Sequence, residues 1–188
     1  KFHMVKIFIA LIPVVLAAAS MSFAQTGNNG EVFVTNDYRL QAGNAIVVKW
    51  FANKVYYQDG FNVYRKEEGL ASWTKLNSAP LKVKTEVPQY MADKDADIKP
   101  FLNIVTNTSY DEFQKGVAKV FVALKAIMNP DFAELLGIIY YDENIVPGKR
   151  YQYEVRGILN GGEELVNTSK AITAGPYQPE AAPQSVTV

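Results

Sequence analysis

Residues 142–159 read DENIVPGKRYQYEVRGIL. Pro147-Gly148 is a turn signal. Behind it Tyr151, Tyr153 and Val155 fall on one face of the chain, with polar residues between them. That two-residue period belongs to a strand with one face in a core and the other in water. Asn160-Gly161-Gly162 follows as a hairpin signal, and residues 169–174 are the expected return strand.

Working outward, the same grammar recurs upstream. Residues 32–38 are mostly β-formers, and residues 45–51 place Ile46, Val48 and Trp50 on one face. Asp59-Gly60 is a turn, after which residues 60–66 put Phe61 and Val63 on one face and Asn62 and Tyr64 on the other. Glu67-Glu68-Gly69 turns again, residues 73–76 read as a short strand, and residues 137–142 are β-like. Short alternating strands between Gly, Pro and Asn turns predict an antiparallel sandwich. Trp50, Phe61, Val63, Tyr151, Tyr153 and Val155 are its expected core.

Ile46-Val47-Val48-Lys49-Trp50 and Gly60-Phe61-Asn62-Val63-Tyr64-Arg65 resemble strands B and C of bacterial fibronectin type III domains. Such domains carry a tryptophan on strand B and a GYxVYR pattern on strand C. Residues 73–80 look like the C′ segment, and residues 142–156 resemble the E–F corner with strand F, where Tyr151 matches the tyrosine-corner residue. The set stands in the right order over about two-thirds of the chain beyond residue 24. The resemblance implies an immunoglobulin-like (fibronectin type III) β-sandwich. It also implies a tyrosine ring in the core whose hydroxyl bonds the backbone across the corner.

The departure from that pattern lies at residues 85–136, where a type III domain passes from C′ to E in a handful of residues. Here the chain reads as helical. Ser109-x-x-Glu112 is a capping box. Phe113, Val117, Val120, Phe121, Leu124 and Met128 recur at helical spacing opposite Gln114, Lys115, Lys119 and Lys125, a stripe expected to pack on the sandwich or on neighbouring helices, with a partner's groove as the alternative. Asn129-Pro130 should start a short helix that Gly137 ends, and residues 98–105 are a further helical candidate.

Residues 1–24 have the plan of a secretory signal: Lys6, an apolar stretch over residues 7–19, then Ser22 and Ala24 before Gln25. The apolar stretch falls short of the ~20 residues a spanning helix needs, and Pro13 interrupts it. Cleavage is expected after Ala24, giving a secreted or surface protein with no stable membrane insertion. It would remove the single histidine, His3. At the other end residues 176–183 are a Pro/Ala-rich linker. Gln184-Ser185-Val186-Thr187-Val188 look like the opening of a second type III module.

Composition narrows the chemistry. The chain has 188 residues with 19 basic and 19 acidic side chains and no run of one sign, so it lacks the electrostatic footprint of a nucleic-acid binder. It contains no cysteine, and 11 Tyr and 10 Phe argue against disorder. Without cysteine, and without histidine after cleavage, no Ser–His–Asp triad, Cys–His pair or imidazole or thiolate metal site can form. No glycine-rich phosphate loop occurs, and no cofactor is implied.

Two constellations remain as site candidates. Asp93, Asp95 and Asp97 have the alternating spacing with which calcium loops begin, but Ile98 and Ile104 stand where an EF-hand needs Gly and Glu. A solvated charge cluster at a helix start is the leading reading. Tyr56, Tyr57 and Trp73 could form a stacking platform for sugar or protein, or could simply cover a sheet edge. The resemblance implies a non-catalytic adhesion or scaffold module that binds other proteins, adjacent type III modules or surface polysaccharide. Its alternative is an accessory domain, carbohydrate-binding or spacer, of a larger secreted hydrolase.

Overall fold

The computed structural model describes residues 29–37, 45–52, 59–106 and 112–178, with backbone alone at 112–116 and 118. The expected signal segment, Tyr56, Tyr57, Ser109, the side chain of Phe113 and residues 179–188 lie outside the described residues.

The chain is mainly β, with short helices between its fourth and fifth strands. Strands β1 (Gly30–Asn36), β2 (Ile46–Ala52), β3 (Phe61–Glu67) and β4 (Thr74–Lys75) come first. Helices α1 (Gln89–Lys94), α2 (Ile98–Thr106), α3 (Glu112–Met128) and α4 (Pro130–Leu135) follow. Strands β5 (Ile139–Asp142), β6 (Arg150–Leu159), β7 (Gly162–Thr168) and β8 (Ile172–Thr173) complete the order. All pairings are antiparallel. One sheet runs β1-β2-β5; the other runs β4-β3-β6-β7, with β8 also on β6.

Alternation decides what each strand buries. Val32, Ile46, Val48 and Trp50 from the first sheet meet Val63, Tyr151, Tyr153, Val155 and Val166 from the second in one core, with Phe61 half-buried against it. Trp50 packs edge-on to Phe61 at 5.5 Å between ring centroids. Such a shared core is compatible with a β-sandwich. Tyr151 reaches back along the chain, and its hydroxyl accepts the Val146 N–H at 3.1 Å. The ring therefore fills the core while its polar tip satisfies the corner.

A second core lies on the other face of the first sheet. Val47 of β2 and Ile139 of β5 point away from the first core and pack against Met91, Ile98, Leu102, Ala126, Phe132 and Leu135 of the helices. Phe101 meets Phe132 edge-on at 6.0 Å. Each side chain of this size removed from water contributes roughly 1.5–3 kcal/mol, enough to hold α1, α2 and α4 on the sheet. Gly137, in the left-handed region at φ 64°, makes the exit into β5. A Cβ there would sit 2.8 Å from the Lys82 carbonyl carbon and oxygen.

Three sequence expectations need correction. The return strand was expected at 169–174, but pairing with β6 begins at once with β7, and only Ile172–Thr173 pairs within the expected stretch. Glu163 and Glu164 disguise β7 as a loop, and a register shift between Val155 and Arg156 breaks its alternation. Charged residues on such an edge strand discourage pairing with another chain. Helix α1 was not anticipated: six residues are too few to show a helical period, and Met91 alone is buried among them. The α3 stripe was expected inside. Instead Val117, Val120 and Met128 are exposed, while Ala126 and the neighbouring Val122 face the second core.

Candidate functional site

The outer face of the β4-β3-β6-β7 sheet carries Trp73, the described member of the predicted platform. Trp73 is half-buried, and the Lys66 ammonium lies 4.7 Å from its ring centroid. Cation–π contact of this kind ties the ring to β3. Beside it the Arg156 guanidinium sits 4.3 Å over the Tyr64 ring and pairs with Glu154 at 2.7 Å. Glu163 accepts from Asn62 and from the Tyr64 hydroxyl, the latter at 2.9 Å. Burial alone would raise the Glu163 carboxyl, but the bonds from Asn62, Tyr64 and Arg156 outweigh it and hold the group below its ordinary range. Burial, then the bond to Glu163, pushes the Tyr64 hydroxyl up. These side chains are bonded to one another, which makes the surface a stiff polar face.

Between the sheets sits a charged cluster that sequence reasoning missed. One guanidinium nitrogen of Arg65 donates to both oxygens of the buried Asp142, at 3.0 and 2.8 Å, and to the Asn144 carbonyl at 2.6 Å. Asp142 also accepts from the Tyr153 hydroxyl at 2.8 Å and the Asn144 N–H at 3.2 Å. Burial, and after it the charge of Asp142, pushes the Tyr153 hydroxyl far up. Arg65 and Tyr153 belong to one sheet and Asp142 to the other, so the cluster clamps the sheets together. Its members are already bonded to one another, which is the arrangement of a structural ion pair.

The three aspartates do not converge. Asp95 pairs with Lys125 at 2.5 Å and accepts from the Asn129 side chain at 2.6 Å and the Asp97 N–H at 3.1 Å. Asp93 instead accepts from Gln89 at 2.7 Å. The Lys125 bond, working against burial, lowers the Asp95 carboxyl. Lysine thus stands where a cation would have to bind. Among the described residues no cluster of three or more His, Asp or Glu could hold a metal ion.

Among the described residues the helical insertion carries several of the exposed large apolar side chains. Lys49 of β2 reaches the C-terminal end of α3, its ammonium donating to the Ala126 and Ile127 carbonyls at 3.1 and 3.4 Å. Burial lowers its pKa. A cleft of about 180 Å³ opens beside it, lined by Phe33, Val47, Pro130, Ile139 and Tyr141 among others. On α3 the side chains of Val117, Val120, Ile127 and Met128 are exposed. Among the described residues no helix is long and apolar enough to cross a membrane. No protein-family model matches the chain, and no curated protein matches it.

Proposed function

We propose that the chain is a fibronectin type III-like module, exported and non-catalytic, that works by binding other proteins through its helical insertion. The strand arrangement carries the fold part of this reading. The first, second and fifth strands share one sheet, and the third, sixth and seventh share the other. This division supports the reading because it resembles the A-B-E and C-F-G grouping of immunoglobulin-type sandwiches, with β4 in the place of C′. The Tyr151 bond to Val146 supports the same reading, because a tyrosine corner is formed in this way. Export rests on the pattern of residues 1–24.

The insertion favours binding over catalysis. It is tied to the sandwich by a core of its own and turns apolar side chains outward, as interaction surfaces do. The test immobilises the purified chain and measures binding to extracellular proteins and to a glycan array. Saturable protein binding, lost when residues 85–136 are replaced by a short turn, is the expected result. Binding to glycans alone, or protein binding that survives the replacement, overturns the reading.

A further inference from the structure

We propose that Lys49 and the cleft beside it form a covalent capture site for a small aromatic aldehyde, whose carbonyl carbon the lysine takes as an imine. The proposal does not depend on what the insertion binds.

Lys49 alternates with Val47 and Phe51 on the helix-facing side of β2. Its neighbours there are apolar: Phe33, Val47, Pro130, Ile139 and Tyr141 line the same cleft of about 180 Å³. An apolar cavity of about 150 Å³ takes one benzene molecule, so this space fits a single ring. Phe33 is 54% exposed and stands edge-on to Phe51 at 6.2 Å between centroids, which gives the cleft an aromatic wall.

The surroundings of the lysine decide what the ring must carry. Among the described residues no carboxylate acts on Lys49, whereas Lys84 and Lys125 are bonded to Glu134 and Asp95. Its nitrogen donates instead to the Ala126 and Ile127 carbonyls at 3.1 and 3.4 Å, in the last turn of α3, where carbonyls have no partner within the helix. These dipoles meet part of the positive charge, so the site does not call for an anion. Burial nevertheless pulls the amine below the ordinary lysine range, and a desolvated free amine is a nucleophile for carbonyl carbon. Two bonds to carbonyls leave one further position on the nitrogen, a third proton in the ammonium and a lone pair in the amine.

That lone pair adds to the aldehyde carbon: the N–C bond forms, the carbonyl π bond breaks, and one proton passes from nitrogen to oxygen. The carbinolamine then loses its hydroxyl with the second N–H proton as water, leaving C=N, and nothing is oxidised or reduced. A protonated imine keeps one N–H for the nearer Ala126 carbonyl, while the Ile127 carbonyl, whose bond is exposed, turns to water.

The test adds benzaldehyde to the full chain near neutral pH with cyanoborohydride, which reduces an imine to a stable benzylamine, and reads the modified lysines by peptide mass spectrometry. Lys49 should be modified about tenfold or more faster than the exposed Lys75 of β4, because the cleft holds the ring beside the amine. Benzyl alcohol, which has the ring without the carbonyl, should slow Lys49 and leave Lys75 unchanged. Phe33→Ala, at an exposed position, should remove most of the excess, and Lys49→Arg should abolish the fast phase. Circular dichroism checks the fold of each variant; if Phe33→Ala is unfolded, the benzyl alcohol competition decides. Modification of Lys49 no faster than that of Lys75 overturns the proposal. A fast Lys49 that benzyl alcohol does not slow, or that the folded Phe33 variant leaves as fast, overturns it too, because the ring is then not seated in the cleft.

Discussion

Asp142 and Arg65 show how much a single residue can hide in a sequence. Arg65 continues the inward series Phe61, Val63, so its position on the core face follows from alternation alone. Asp142 ends a β-like run, and nothing in the sequence pairs it with a cation 77 positions away. Yet its carboxylate is almost fully buried and held by Arg65, Tyr153 and the Asn144 N–H. Removing one partner of a buried pair leaves an uncompensated charge. Asp142→Ala should therefore destabilise the chain by about 3–5 kcal/mol in urea denaturation, far beyond the ~0–1 kcal/mol of a surface pair. A loss no larger than the surface value would show that the clamp is not what joins the sheets. Trp50, by contrast, was legible: a large apolar side chain at an inward position of an alternating strand has nowhere else to go, and it is fully buried.

At the scale of elements, strands with clean alternation were readable and the mixed ones were not. Residues 150–159 alternate without a break and form β6 over that whole span. β7 escaped because its glutamates look like a turn. In the helical region the cap was the clearest signal. Asn129 accepts the Phe132 N–H at 3.1 Å ahead of Pro130, and its amide also donates to Asp95. Asn129→Ala should cost about 1 kcal/mol for the cap, with a further loss as Asp95 loses a donor. Because Asp95 is held below its ordinary value, the stability it contributes is complete above the unfolded carboxyl range. That contribution fades as pH falls through the lower folded value. Asp95→Asn should flatten that acid-side loss. Since Lys125 already serves this carboxylate, millimolar calcium should leave the melting temperature unchanged; an upward shift abolished by Asp95→Ala would mean that the aspartates rearrange to bind the ion. The inward face of α3 was not legible, because Val122 and Ala126 lie among the lysines opposite the apolar stripe.

The whole molecule is two cores on opposite faces of one sheet, and that division carries the account. The first core draws on both sheets and on none of the helices. The second joins the helices to Val47 and Ile139. If the sandwich closes by its first core, the insertion is an addition to a complete β unit and is free to specialise for binding. The most direct measurement joins residue 84 to residue 137 by a short turn, with Val47→Thr and Ile139→Thr to cover the face this exposes. Equilibrium urea unfolding of that chain is then followed by circular dichroism and tryptophan fluorescence. The account predicts a β spectrum and one cooperative transition, coincident by both probes, with Trp50 shielded until it begins. A chain that shows no cooperative transition, or an exposed Trp50 without denaturant, would contradict it, because the helices would then be part of what folds the sandwich.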